Sequence, residues 1–229
     1  MTKYAFASAK HNVDMVVEQA GVIAVPVYRT TTKGTSSVTV SMTASEAVAA
    51  VFSIDNTSVT FKDGEAVAYV NVLYPDIETV SPTASFTFKI TIADEAVVSP
   101  AKIKEVEVKT GRKLTYEAFG VGVFESEFFE EAWDQPILKA KEGEVYKLPG
   151  LYAANYDFVF AINADNTITV GKQETGYKSA TYGMVSFDPN TSAGVVIGST
   201  KDGKEITFNG RFTVAAGSFG TFAEVLTLP

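Results

Sequence analysis

The sequence predicts an all-β protein of two domains, and three observations lead to this prediction. Apolar and polar side chains alternate in residues 156–170, where Tyr156, Phe158 and Phe160 are followed by an Asn-Ala-Asp-Asn turn. Alternation with a period of two gives a strand one buried and one exposed face. Similar short segments, bounded by turn residues, recur along most of the 229 residues, and the composition changes near Gly111. These patterns favour antiparallel sheets in both halves.

The change in composition near Gly111 predicts a domain boundary. Residues 1–112 contain 9 aromatic side chains, whereas residues 113–229 contain 18. The polar segment Thr110-Gly111-Arg112-Lys113 separates the two halves. Domains of about 110 residues are common. We therefore expect one domain at residues 1–111 and a second at residues 112–229.

Alternating segments in the first half predict about seven short strands, among them residues 23–27, 38–42, 86–92 and 106–108. Pro26 has no amide donor, so we expect the first of these to be an edge strand. Residues 45–50 fit either one helical turn or a loop, and residues 75–82 a loop. Strands at this spacing are typical of an immunoglobulin-like β-sandwich.

Residues 58–72 predict a β-hairpin. If Asp63 and Gly64 are the two loop residues of a primed turn, Lys62 lies opposite Glu65 as a cross-strand pair of opposite charge. This register also places six apolar side chains on one face. They are Val59, Phe61, Ala66, Ala68, Val70 and Val72.

The second half predicts a second antiparallel domain, either a β-sandwich or a barrel. Its expected strands cover residues 119–124, 137–140, 145–148, 156–170, 183–187, 195–197, 206–214 and 222–228. Asp202-Gly203 is a second candidate two-residue turn, which would place Ile197 opposite Phe208.

The densest acidic cluster of the chain lies within residues 125–134. On a helical wheel, the acids of residues 127–134 share one face and Phe128, Phe129 and Trp133 the other. Ser126 is a suitable N-cap and Pro136 follows the end, so the pattern predicts a short amphipathic helix. The apolar pattern is short enough that a strand followed by a turn stays open.

Aromatic and acidic residues of the second half form the candidate binding site. Trp133 is the only tryptophan, and an exposed indole can stack on a sugar ring. Tyr177 and Tyr182 lie in a connection rich in Gly, Ser and Thr (residues 175–183), and connections often carry function. With Glu130 and Asp134 these three side chains are the predicted binding residues. The alternative for each aromatic ring is packing in the core.

Composition argues against several functions. The chain has no cysteine, which excludes disulfides, thiolate catalysis and cysteine-bound metals. Its net charge of -8 argues against binding to nucleic acid or to anionic membranes. His11 is the sole histidine, and no nucleophile-elbow motif accompanies it. We expect no catalytic residue, cofactor or metal; a carboxylate pair in residues 125–134, as in glycosidases, is the enzymatic alternative.

The first half resembles the Calx-beta family of extracellular sandwich modules. The resemblance rests on VEQAG (residues 17–21), VTFKDGEAVAYVNV (residues 59–72), and PDIE before FTFKITI (residues 75–92). It implies calcium ligands at Glu18, Asp76 and Glu78. The acidic loop of that family is absent, since residues 43–52 contain only Glu46, and calcium takes six to eight oxygen ligands. We therefore predict no calcium site.

The second half resembles the C-terminal β domain of surface lipoproteins from Bacteroides-type gut bacteria. YDFVFAINADNTITVGKQ (residues 156–173), YGMVSF (residues 182–187) and AAGSFGTFAEVLTLP (residues 215–229) carry this resemblance. It implies a protein on the extracellular face of the outer membrane, held by a lipid-bearing cysteine that precedes this chain.

These observations together predict a non-catalytic cell-surface protein that acts in binding or adhesion. Its expected partner is a glycan or another surface protein, and its only membrane contact is the lipid anchor. Two alternatives are a structural spacer or assembly module of a surface complex, and a glycan-active enzyme that uses carboxylates. The sequence does not determine the oligomeric state.

Overall fold

The computed structural model describes residues 1–189, 200–201 and 204–229, and it confirms that the chain is all-β. The chain divides into two compact units, Met1–Lys113 and Leu114–Pro229. The boundary predicted at Gly111 falls inside the last strand of the first unit, Glu105–Arg112. The predicted strand at residues 195–197, the turn at Asp202-Gly203 and the Ile197–Phe208 pairing lie outside the described residues. Within those residues, no helix has the length and apolar character needed to cross a membrane.

The first unit is a β-sandwich of nine strands. These are β1 (Tyr4–Phe6), β2 (Lys10–Met15), β3 (Val22–Arg29), β4 (Ser36–Thr43), β5 (Ser53–Ile54), β6 (Ser58–Phe61), β7 (Val67–Leu73), β8 (Ser85–Ile92) and β9 (Glu105–Arg112). One sheet has the order β1-β3-β7-β5 and the other β2-β9-β8-β4-β6. β2 runs parallel to β9 and the other strand pairs are antiparallel. Alternate side chains of both sheets enclose one apolar core, as the sequence pattern predicts.

Short helical turns connect these strands. α1 (Glu46–Ala49) follows Ser45, whose hydroxyl accepts a hydrogen bond from Val48 N at 3.4 Å. Of the two alternatives for residues 45–50, the structure therefore has the helical turn. Single 3-10 turns lie at Val17–Gln19, Ile77–Thr79 and Glu95–Val97.

The prediction that Pro26 marks an edge strand is wrong, because β3 lies between β1 and β7. Hydrogen bonds from Arg29 N to Ala66 O and from Tyr74 N to Gly21 O show which residues of β3 bond to β7. Bonded pairs alternate along an antiparallel ladder, so the residues of β3 that bond to β7 are those with odd numbers. Pro26 therefore faces the other side, where β1 has already ended at Phe6. The missing amide breaks no ladder hydrogen bond.

The prediction of a hairpin at residues 58–72 is also wrong. β6 pairs with β4, whereas β7 pairs with β3 and β5, so the two strands belong to opposite sheets. The turn itself forms, but the Glu65 carboxylate accepts from Lys62 N at 2.8 Å and makes no cross-strand pair with the Lys62 ammonium. Five of the six predicted apolar side chains are buried; Ala66 is exposed.

A buried arginine explains why the chain crosses between the sheets here. Arg29 is 7% exposed, and its guanidinium donates five hydrogen bonds of 2.6–3.0 Å. The acceptors are the carbonyl oxygens of Thr32, Gly34, Lys62 and Glu65 and the hydroxyl of Ser36. Arg29 thus ties two connections together at one end of the sandwich, which fixes the path of residues 62–65.

The second unit is built from one sheet of ten strands, as far as residues are described. These are β10 (Tyr116–Ser126), β11 (Glu131–Ala140), β12 (Val145–Ala153), β13 (Tyr156–Ile162), β14 (Ile168–Val170), β15 (Gln173–Ser179), β16 (Gly183–Pro189), β17 (Thr200–Lys201), β18 (Glu205–Val214) and β19 (Gly217–Thr227). Their order is β14-β13-β12-β11-β10-β19-β18-β16-β15, with β17 beside β18. The predicted hairpin at residues 156–170 is confirmed as β13 and β14, and Phe158, Phe160, Ile168 and Val170 are buried.

The sheet curls around its aromatic core until β15 packs against β12 and β13. The side-chain amide of Gln173 makes the junction: Oε1 accepts from Val159 N at 2.7 Å, and Nε2 donates to Val159 O at 2.8 Å. The Gln173 side chain thus makes the two hydrogen bonds to Val159 that the backbone of a neighbouring strand would otherwise make. Residues 173–179, part of which was predicted as a connection, are therefore a strand, and the turn is confined to residues 180–182.

Candidate functional site

The candidate site begins at the turn between β10 and β11. Of the two alternatives for residues 126–134, the helix does not form and the strand followed by a turn does: β10 ends at Ser126, residues 127–130 reverse the chain, and β11 begins at Glu131. The Ser126 hydroxyl still accepts from Phe129 N at 3.1 Å, which is the bond expected of an N-cap. Glu130 then adopts a positive φ of 55°, which turns the chain back into a strand. The turn presents Phe128 and Phe129 at one end of the curled sheet.

A groove of about 450 Å³ lies beside this turn, between β11 and β12. It is lined by Phe129, Glu131, Trp133, Asp134, Gln135, Pro136, Pro149, Gly150, Leu151 and Tyr152. Trp133 is half-buried, so part of its ring is accessible from the groove. The volume of the groove lies within the range of about 300–1,000 Å³ that is typical of small-molecule sites.

The indole of Trp133 is held in a fixed orientation. Its ring packs on Phe124 with 5.2 Å between centroids, and Nε1 donates to Gln135 Oε1 at 3.1 Å. The Gln135 amide is itself fixed, because Nε2 donates to the carbonyl oxygens of Pro136 and Pro149 at 3.0 and 3.1 Å. A ring held from two sides loses little conformational entropy when a ligand covers it.

Further aromatic rings extend the groove into a continuous surface. Phe129 lies 5.7 Å from Tyr152 and 5.1 Å from Tyr177, measured between ring centroids. Phe128 contacts Phe219 at 5.8 Å, and Phe219 contacts Tyr182 at 5.9 Å. Tyr177, Tyr182 and Phe219 are 41%, 53% and 40% exposed. We call these three side chains the aromatic rim.

A buried carboxylate supports the wall of the groove. Glu224 is fully buried, and its two oxygens accept from Phe128 N at 3.1 Å and from the Tyr152 hydroxyl at 3.0 Å. The Ser126 side chain is a further hydrogen-bond partner. Burial raises the pKa of Glu224, opposed by these hydrogen bonds. Burial likewise raises the pKa of Tyr152 well above its usual value, so its hydroxyl remains a donor.

The structure brings the five predicted binding residues to one region of the second unit. Trp133 and Asp134 line the groove, and Glu130 lies in the adjoining turn. Tyr177 and Tyr182 belong to the aromatic rim. The aromatic rings of this region contact one another in a continuous series, so the five residues belong to one surface.

Sequence reasoning missed Tyr152, Gln135 and Glu224. Tyr152 and Gln135 lie in strands whose patterns are irregular, so no period singles them out. Glu224 did carry a signal: it occupies the inward phase of β19, two residues from the buried Leu226. A charged residue at an apolar phase of a strand indicates a buried polar network.

Of the three acids that the Calx-beta resemblance singles out, two are engaged within the first unit and the third is exposed. Asp76 Oδ1 accepts from Glu78 N at 3.0 Å, and the Glu78 carboxylate pairs with Arg112 at 2.7 Å. Glu18 is exposed in the turn Val17–Gln19. Nowhere in the described ranges do three or more His, Asp or Glu side chains form a group suited to a metal ion. His11 lies in β2 beside Val108.

Comparisons with known proteins give only distant likenesses. No protein-family model matches the chain, and no curated protein matches it. A Calx CBD2 domain is similar in structure, with a TM-score of 0.37 and 12% identity, over 48% of this chain and 86% of that one. A protein of unknown function from Bacteroides ovatus has a TM-score of 0.37 and 9% identity, covering 99% of this chain and 94% of that one.

A candidate carbohydrate-binding protein from Bacteroides ovatus ATCC 8483 is also similar, with a TM-score of 0.34 and 9% identity. The match covers 96% of this chain and 69% of that one. At such identities and TM-scores, what these proteins bind does not transfer to this chain. The function must follow from the groove itself.

Proposed function

We propose that this protein binds carbohydrate without catalysis, and that the second unit does so through the groove beside Trp133. The observation that carries the proposal is an indole fixed by Phe124 and Gln135 at the border of a groove that also contains carboxylates. A sugar ring presents C–H groups on its faces and hydroxyls at its edge. An aromatic face and hydrogen-bonding side chains at one site match both.

The arrangement of acids supports binding rather than hydrolysis. A glycosidase places two carboxyl groups on either side of the scissile bond. Glu131 and Asp134, which line the groove, come from the same strand three residues apart, rather than from facing walls. Glu224 is fully buried behind Tyr152. The two acids of the groove are therefore better suited to accepting hydrogen bonds than to acting as acid and nucleophile across one bond.

Location and partners belong to the same proposal. We expect the protein on the extracellular face of the outer membrane, held by a lipid that a cysteine outside this chain carries. Protease treatment of intact cells, followed by detection of the protein, tests this. Loss of the protein from intact cells supports the surface location, whereas protection until the outer membrane is opened contradicts it.

The function is tested by titrating soluble oligosaccharides into the protein by calorimetry, with Trp133→Ala as the variant. Large aromatic side chains at the centre of a site often contribute about 2 kcal/mol or more, so we expect affinity to fall roughly 30-fold. Tyr69→Ala is the matched control, since Tyr69 is 53% exposed and belongs to the first unit. Circular dichroism of both variants checks that they fold.

Two results would refute the proposal. One is the absence of binding across neutral, amino and acidic oligosaccharides, which would favour a structural spacer. The other is glycan binding that Trp133→Ala leaves unchanged. Release of new reducing ends during incubation would refute the non-catalytic part alone.

A further inference from the structure

The polar groups of the groove differ in whether they can still bond to a ligand. The side-chain donors are all engaged within the protein: Trp133 Nε1 with Gln135, Gln135 Nε2 with two carbonyl oxygens, and the Tyr152 hydroxyl with Glu224. The backbone N–H of Gly150 donates to Asp157 Oδ1 at 3.1 Å. The acidic residues that line the groove, Glu131 and Asp134, only accept hydrogen bonds, and since they are three positions apart in β11, Glu131 lies on the face of Trp133 and Asp134 on the opposite face.

The charge of the groove has one sign. Its lining contains two carboxylates and no lysine or arginine, and Glu130 in the adjoining turn adds a third. The nearby Lys147 is occupied elsewhere, since its ammonium lies 3.7 Å from Asp157 and 4.2 Å from the centroid of the Tyr116 ring.

Lys178 follows Tyr177 of the aromatic rim along β15, but it does not reverse this charge. Lys178 pairs with Met184, the neighbour of the fully buried Val185, so Lys178 lies on the outer face of the sheet. Lys178 also contributes nothing to the groove lining.

On the basis of the proposed function, we infer that the groove selects glycans that donate hydrogen bonds, namely neutral and amino sugars, and rejects glycans that carry carboxylate or sulfate. A hydroxyl or an ammonium group can donate to Glu131 on the face that carries Trp133, and to Asp134 where the ligand reaches the opposite side of β11. Within the groove lining a carboxylate or sulfate finds no free side-chain donor and meets charges of its own sign; the tyrosine hydroxyls of the aromatic rim lie outside this lining. At about 5 Å from even one carboxylate, this repulsion weakens binding about fourfold in bulk water and more strongly where water is partly excluded.

The experiment compares two ligands that differ in charge and in one methyl group per sugar: oligogalacturonate and its fully methyl-esterified form. A neutral N-acetylglucosamine oligomer and its deacetylated, cationic form make a second pair. Each is titrated by calorimetry at 20 and 200 mM NaCl. We expect the neutral ester to bind at least about tenfold more tightly than the acid, and the cationic oligomer to bind more tightly at low salt, because salt screens exposed charges.

A double variant, Glu131→Gln with Asp134→Asn, tests whether these two carboxylates cause the selection. It should reduce the preference for the ester to about threefold or less and weaken the salt dependence for the cationic oligomer, with Glu130 accounting for what remains. Glu46→Gln, an exposed acid of the first unit, is the control and should change neither.

The outcomes separate this inference from the proposed function. Equal or tighter binding of the acidic oligomer, lost in Trp133→Ala, would overturn the inference while the proposed function stands. A preference for the ester that survives the double variant would also overturn it. No binding of any oligomer would refute both.

Discussion

The most informative perturbation of the second unit is the replacement of Gln173, whose amide joins β15 to β13. Val159 lies just before the residues of β13 that pair with β14, so its N–H and C=O are free on that side. Gln173 bonds to both groups, at 2.7 and 2.8 Å. At neutral pH an amide accepts and donates in this geometry, whereas a carboxylate can only accept.

Gln173→Glu keeps the size of the side chain and changes one atom. The carboxylate can still accept from Val159 N, but its second oxygen faces Val159 O, an acceptor. One hydrogen bond worth about 1 kcal/mol is lost, and two partly buried acceptors are left in contact at a cost of about 1–2 kcal/mol more. We expect the second unit to lose about 2–3 kcal/mol of unfolding free energy at pH 7.

This loss should depend on pH in a defined direction. The folded state disfavours the carboxylate, so the pKa of Glu at position 173 is raised above its value in the unfolded chain. The penalty is therefore complete above the folded-state pKa and decreases as pH falls through it, because the protonated acid again donates to Val159 O. Gln173→Ala, which loses both bonds at any pH, should cost about 2 kcal/mol at pH 7 and pH 4 alike.

Fluorescence of Trp133 gives the assay. Trp133 is the only tryptophan, so its emission during urea unfolding reports on the second unit alone. Glu174→Gln is the control, an exposed neighbour on the same strand that should shift stability by less than about 0.5 kcal/mol. If Gln173→Glu unfolds like the wild type at pH 7, or if its deficit is the same at pH 4, the role assigned to the amide is wrong.

Three further predictions concern other parts of the chain. Arg29→Lys should destabilise the first unit by about 2–4 kcal/mol in calorimetry, because three donors cannot replace five; unchanged stability would contradict this. Because the pKa of Glu224 is raised in the folded state, its contribution to stability is present at low pH and is lost as pH rises through that pKa. In Glu224→Gln, the unfolding free energy followed by Trp133 emission should therefore depend less on pH over that range. Gly176→Ala should lower the unfolding free energy of the second unit by about 2 kcal/mol or more, because Gly176 has a φ of 77° and an added methyl group would overlap the Tyr156 ring. Gly171→Ala is the control: its methyl group would meet open space, so its unfolding free energy should be nearly unchanged.

Strand positions and buried faces could be predicted from alternation because both are local properties. β8 and the β13–β14 hairpin follow the expected phase, and Phe88, Ile90, Phe158 and Phe160 are buried. In these segments the turn chemistry and the apolar period agree, and no distant residue is needed to choose between alternatives.

The identity of the partner strand could not be predicted in the same way. Residues 58–72 have the faces expected of a hairpin, yet β6 and β7 pair with β4 and β3. Two strands joined by a tight turn can share a sheet or belong to facing sheets, and their alternation is the same in both arrangements. The buried Arg29 favours the arrangement in facing sheets, because it binds the carbonyl oxygens of Lys62 and Glu65. Arg29 is more than 30 positions away from both residues in the sequence.

The predicted helix at residues 126–134 failed for a related reason. Its local signals were satisfied by a single turn, since Ser126 bonds to Phe129 N as a cap would. Beyond that turn, Phe124 and Trp133 are directly opposite each other on β10 and β11, so their rings bury together across the hairpin. A long-range pairing of this kind outweighs helix propensities, which differ by a few tenths of a kcal/mol per residue.

The same limit applies to the candidate site, where residue types were predictable and their supports were not. Trp133 and Tyr177 stand out by composition, but the groove depends on Glu224, which lies about 70–100 residues away in sequence from the Tyr152 hydroxyl and the Phe128 amide that it binds. An isolated buried carboxylate is costly, and here hydrogen bonds offset part of that cost. If the groove binds carbohydrate as proposed, Glu224→Gln should therefore weaken binding although residue 224 touches no ligand, because an amide cannot accept from the same donors with both of its terminal atoms.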